Sequence, residues 1–136
     1  MRVKILAENR FHIVAIMKGN ACPVEDFISF GEFTTKANRV GLLNMLEDTA
    51  KNGLENIPAA WTHEANKKQK IYEFIKGRLR LYFFKGHEEQ IVVCTSGQLK
   101  KTDKANKAVI EEAARYRKEY FEAINKDTLQ VMRNET

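Results

Sequence analysis

Arg78 to Phe83, Arg-Leu-Arg-Leu-Tyr-Phe, alternates at every second residue and constrains this chain more than any other segment. Strand side chains point to opposite faces in turn, so Leu79, Leu81 and Phe83 fall on one side and Arg78, Arg80 and Tyr82 on the other. One face is expected to join an apolar core while the other presents two guanidiniums and a phenol. Arg offers a planar fork of donors that fits phosphate, and Tyr can stack on a base or pass a proton. The neighbouring text predicts strands at about 70–76, 78–85 and 90–96, with Gly77 and the stretch 85–88 as turns. This pairing of element and chemistry points to RNA.

The remainder reads as a mixed α and β chain. Val3–Ala7 and Phe11–Met17 form an opening hairpin. Pro23 suits the first turn of a helix reaching Phe30, with Glu25 and Asp26 near its positive end. Thr34 or Thr35 caps a second helix to about Asn52, where Val40, Leu43, Leu46 and Ala50 form a buried stripe widened by Leu42 and Met45. Gly53 ends that helix. Residues 57–70 read as an irregular connection, a last helix covers about 104–124, and the tail 126–136 frays. The order β-β-α-α-β-β-β-α predicts an α+β domain: a small, mostly antiparallel sheet packed against N-terminal helices, with a C-terminal helix.

With 136 residues, 43% hydrophobic and 30% charged, the chain is expected to be one domain spanning residues 1–136, and it is not a disordered composition. The net charge of +5 permits a nucleic acid or an acidic protein partner without requiring either. Cys22 and Cys94 are far apart in sequence and read as reduced thiols, Cys94 as a small core residue. The opening MRVKILAENR is too charged for a secretory leader, and no apolar run approaches the roughly 20 residues that span a bilayer. The expectation is a soluble cytoplasmic protein with no membrane partner.

Cations gather in the second half. Lys85 ends the alternating strand, Lys100 and Lys101 follow the next one, and Lys104 and Lys107 open the final helix. With neighbouring strands paired, these groups and the arginines converge on one concave surface; the alternative is a solvated basic face. RNA cleavage without a metal needs a base for the 2′-hydroxyl proton, cations for charge building on phosphate, and an acid for the leaving 5′-oxygen. Arg suits the second role, and Lys or Tyr the others where the environment tunes them. His12, His63 and His87 lack the spacing and companions of a metal site and read as surface or loop histidines. No phosphate-binding glycine loop or serine elbow occurs, so neither a metal nor a cofactor is expected. Glu88 and Glu89 read as solvated turn charges, and Trp61, Tyr72, Phe74, Phe83 and Phe84 as core.

In order along the chain, Pro23–Ile28, Leu42–Gly53 (LLNMLEDTAKNG), Tyr72-Glu73-Phe74, Gly77–Phe84 (GRLRLYFF), Lys100-Lys101-Thr102 and Ile110–Tyr120 resemble the successive motifs of the phage-derived, HigB-like branch of the RelE/ParE toxin superfamily. The likeness covers most of residues 20–124. It implies a RelE-like fold and the toxin of a type II toxin–antitoxin pair. Such a toxin is an endoribonuclease that cuts mRNA, often on the ribosome, inhibits translation, and is neutralised by a small antitoxin that frequently carries a helix-turn-helix. By position, Arg80 would contact the scissile phosphate, and Lys100 and Lys101 would bind RNA or assist proton transfer. Tyr82 is a further catalytic candidate, and Arg78, Lys85, Lys104 and Lys107 are RNA-binding candidates.

The chain departs from the pattern at Ile75, where an arginine is usual, at Ser96–Leu99, where an aromatic residue is common, and across Ala59–Gln69. Losing one charge-stabilising donor costs roughly 10²–10³ in rate. Two other readings therefore stand beside the nuclease: a non-catalytic phage or prophage binding protein on the same scaffold, for example a ParE-like gyrase poison, and an RNA binder acting through charge alone. Oligomeric state has no signature in the sequence.

Overall fold

Strands β1 (Arg2–Glu8) and β2 (His12–Ile16) pair antiparallel as the opening hairpin. The computed structural model describes residues 1–101 and 106–133. Helix α1 (Pro23–Ser29) starts at its proline, and α2 (Lys36–Asn52) follows a 3-10 turn at Phe33–Thr35. A second run of strands comes next: β3 (Thr62–Asn66), β4 (Ile71–Lys76), β5 (Leu79–Lys85) and β6 (Ile91–Leu99). Helix α3 (Lys107–Asn125) and the short β7 (Gln130–Met132) close the described chain.

All seven strands form one sheet in the order β3-β4-β5-β6-β2-β1-β7. The pairs within β3–β6 and β1–β2 are antiparallel, while β2–β6 and β1–β7 are parallel. The architecture is α+β with a mostly antiparallel sheet, as expected. Helices α1 and α2 cover one face, where Val24, Leu42, Leu46, Phe74, Leu81 and Phe83 pack together. Helix α3 covers the other, setting Ile110, Ala113, Tyr116 and Tyr120 against Ile71, Tyr82, Phe84 and Val93. The side chain of Asn106 caps α3 by accepting from the Val109 N–H at 3.2 Å.

Several expectations need correction. The buried side of α2 is Leu42, Met45, Leu46, Thr49 and Ala50, whereas Val40 and Leu43 are exposed. Thr35 occupies the N-cap position, yet its hydroxyl donates to the Glu32 carbonyl instead of capping the helix. Gly53 ends the helix as expected, with φ of 86° and its N–H donating to the Thr49 carbonyl at 2.7 Å. The connection 57–70 holds a strand, β3, and the tail holds β7, which adds to the sheet edge beside β1.

One irregularity decides which side chains meet. In β6, Thr95 is an extra residue: Tyr82 pairs with Ser96 while Phe83 pairs with Cys94. The bulge reverses the alternation, so Val92 and Cys94 face α1 and α2 while Ser96 and Gln98 lie opposite Tyr82 and Arg80. Beyond the bulge, Gly97 lies under Phe27 so closely that a Cβ there would sit 2.2 Å from the ring.

Candidate functional site

The alternation of β5 holds, but its polar face is not open. Leu79, Leu81 and Phe83 enter the core beneath α1 and α2; Tyr82 and Phe84 enter the core shared with α3. Tyr82, expected to stand in solvent beside the arginines, is 2% exposed. Its hydroxyl donates to Gln98 Oε1 at 3.0 Å. Burial, reinforced by the nearby Glu73 charge, pushes this phenol up to about 12, so it stays protonated through the neutral range.

Arg80 is partly buried between its cross-strand neighbours Ile75 and Gln98. Its Nη1 donates to the carbonyls of Gly77 at 2.7 Å and Leu79 at 3.0 Å, which fixes the guanidinium at the open end of the β4–β5 turn. Its Nε is buried, has no hydrogen-bond partner, and lies 4.0 Å from Glu73 Oε1. Ile75, the cross-strand partner of Arg80 on β4, adds no second cation beside it.

Glu73 and His63 complete this end of the sheet, and neither was singled out from sequence. Cross-strand pairing sets His63, Glu73, Tyr82 and Ser96 in one row over β3 to β6. The Glu73 side chain is 7% exposed, and its Oε1 lies 3.3 Å from Nδ1 of His63, whose side chain is 63% exposed. His63 is at the surface, as one of the two readings had it, and sits on strand β3. Ser96 Oγ is buried without a partner. A signal for Glu73 is present: in a strand it shares a face with Ile71 and Ile75, and a carboxylate in an inward phase is either paired or functional. Nothing comparable marks His63.

The lysine pair joins the arginines. The Lys100 N–H donates to the Arg78 carbonyl at 2.8 Å, which extends the β5–β6 ladder past Leu79 and Leu99. Arg78 lies in the turn ahead of β5 and is exposed, as is Lys101. Arg78 also lines a hollow of about 420 Å³ with Gly77, Leu99 and the start of α2. Beside that hollow stand Phe30 and Phe33, 73% and 86% exposed. The loop that carries them is held by Arg39, which donates to the carbonyls of Ile28, Gly31 and Glu32 and to Thr35 Oγ1.

Other candidates do not converge. Lys85 sits at the far end of β5, with its ammonium 5.0 Å from the centre of the Tyr72 ring and beside a cavity bordered by Phe11, Glu55 and Glu89. It is separate from the arginine–lysine group because five residues of strand span about 17 Å. Lys107 is exposed on the first turn of α3, and Lys104 lies outside the described residues. Both cysteines are buried, and burial raises both thiols above their ordinary range, which disfavours thiolate chemistry. Among the described residues, no three His, Cys, Asp or Glu side chains are grouped to hold a metal ion, and no helix is long and apolar enough to cross a membrane.

The candidate groups are a fixed guanidinium, an exposed Arg78, an exposed Lys101 next to the half-buried Lys100, and, across β3 and β4, an exposed imidazole against a buried carboxylate. Such groups can bind a phosphodiester and exchange protons beside it. No family model matches the chain, and no curated protein matches it.

Proposed function

We propose that this chain is a metal-independent mRNA endoribonuclease that acts in the cytoplasm as the toxin of a type II toxin–antitoxin pair, cutting messages on the ribosome and held in check by a small helix-turn-helix antitoxin. The reading is carried by one observation: the Lys100–Arg78 backbone bond brings the lysine pair to the end of β5 where Arg80 is fixed. Arg80 and Arg78 are the phosphate-binding groups; Lys100 and Lys101 counter the charge that builds on phosphate and supply a proton to the leaving oxygen. The exposed rings of Phe30 and Phe33 offer surfaces on which unpaired bases stack.

Expression should halt translation and leave mapped cuts in mRNA by primer extension, and Arg80→Ala should abolish both. A folded wild-type chain that leaves messages whole in a cell-free translation system rejects the nuclease.

A second reading, a non-catalytic binder on this scaffold such as a gyrase poison, is favoured by a specific observation. The Arg80 guanidinium already serves two backbone carbonyls, and Ile75 replaces the second cation beside it. It predicts growth arrest without RNA cuts; DNA damage on expression would identify the gyrase version.

A further inference from the structure

We propose that His63 is the general base of this cleavage and that Glu73 positions it, an inference that rests on the endoribonuclease reading. The imidazole turns Nδ1 toward Glu73 Oε1, 3.3 Å away, and leaves most of its ring in solvent. A carboxylate facing Nδ1 holds the proton on that nitrogen and the lone pair on Nε2, the nitrogen free to take a proton from substrate. Glu73 is well suited to this because its surroundings leave it few ways to turn: it is 5% exposed and fixed in the middle of β4 between Tyr82 and His63.

Placement relative to phosphate is the second part of the argument. His63 Nδ1 and Arg80 Nε both lie within 4.0 Å of the same Glu73 oxygen. A phosphodiester seated on the outer edge of the Arg80 guanidinium therefore brings its adjoining 2′-hydroxyl within reach of the His63 ring. Arg80 cannot swing away, since Nη1 is tied to two carbonyls, so the spacing is set before substrate arrives.

The step balances without a metal, an oxidant or a cofactor. Nε2 of His63 takes the 2′-hydroxyl proton as the 2′-oxygen bonds to phosphorus. The bond from phosphorus to the 5′-oxygen breaks, and that oxygen takes a proton from the Lys100 ammonium. The products are a 2′,3′-cyclic phosphate and a 5′-hydroxyl; the imidazolium then loses its proton to water, and the lysine amine regains one. Among the described residues, the charged group paired with His63 is Glu73 from β4, with Arg80 from β5 beyond it and the protonated Tyr82 in the same cross-strand row.

The test measures kcat and KM on a defined mRNA in a purified translation system, across about pH 5 to 9, where imidazole changes charge. His63→Gln should lower kcat by roughly 10²–10⁴ with little change in KM, and the acidic limb of the rate profile should vanish. Glu73→Gln should lower kcat with little change in KM, and combining it with His63→Gln should cost nothing further; a merely structural role would add its loss to that of His63→Gln. His63→Ala should regain activity with added imidazole. A His63→Gln enzyme with wild-type kcat and an intact acidic limb overturns the dyad while Arg80-dependent cleavage keeps the nuclease. Loss of activity in His63→Ala without imidazole rescue also overturns it. A wild-type chain that cuts nothing overturns both.

Discussion

Tyr82→Phe separates a buried structural phenol from a catalytic one. In the fold the hydroxyl makes one hydrogen bond, to Gln98 Oε1 at 3.0 Å, and the ring packs in the core with Phe84 and α3. Phenylalanine keeps the ring volume and removes only that bond, so no cavity opens. One such bond contributes about 1 kcal/mol, which in a chain of this size lowers Tm by roughly 3–6 °C. The cleavage rate should stay within a few-fold of wild type. The alkaline limb gives a second reading. A phenol whose folded pKa is raised from 10.0 to about 12 contributes stability that is fully present below pH 10 and is lost as pH rises through 12. Wild-type stability should fall across that window, and Tyr82→Phe should fall less steeply, with Tyr120 contributing equally to both proteins. Urea melts at a series of pH values, run beside primer-extension assays, measure both effects. A variant with unchanged stability and cleavage reduced a hundredfold would refute the burial argument and return Tyr82 to the proton path.

Other outcomes follow from named contacts. Gly97→Ala drives a Cβ to 2.2 Å from the Phe27 ring and should cost roughly 1–3 kcal/mol in urea unfolding; an unperturbed variant would mean the α1–β6 packing is looser than described. Ending the chain after Thr128 removes β7 and the Gln130 N–H bond to the Met1 carbonyl, and should expose Val3 and lower Tm; an unchanged Tm would show that β7 adds nothing to the edge. Arg78→Ala should reduce the salt slope of RNA binding by about 0.7, whereas Phe33→Ala should weaken binding by roughly 1–3 kcal/mol without altering that slope. Equal salt slopes in wild type and Arg78→Ala would remove Arg78 from the phosphate contacts.

The β-hairpin, the three helices and strands β4 to β6 were legible because each carries its own period or punctuation: alternation in β5, Pro23 and Gly53 at helix ends. What failed was context. β5 looks half-exposed through Tyr82, yet Phe84 one step on already belongs to the same face, a sign that both sides are covered. β3, Thr-His-Glu-Ala-Asn, has no apolar alternation; as an edge strand it is held by pairing with β4 and not by its own burial. The bulge at Thr95 leaves no mark in the sequence either: plain alternation would put Gln98 on the face of Cys94, and the bulge moves it to the face of Arg80. Of the candidate cations, Arg78, Arg80, Lys100 and Lys101 gather, while Lys85 was misplaced because alternation sends it, with Leu79, Leu81 and Phe83, to the opposite side.

β3, β4, β5 and β6 are consecutive along the chain and adjacent in the sheet. His63, Glu73, Arg80 and Lys100 therefore come from one unbroken ribbon, and their spacing is inherited step by step from hairpin to hairpin. Changes in the first two strands, which meet this ribbon through the parallel β2–β6 border, can accumulate without moving them. A single inserted residue inside β4 would instead slide that strand past β3 and turn the carboxylate away from its imidazole, while one inside β5 would carry Arg80 to the other face.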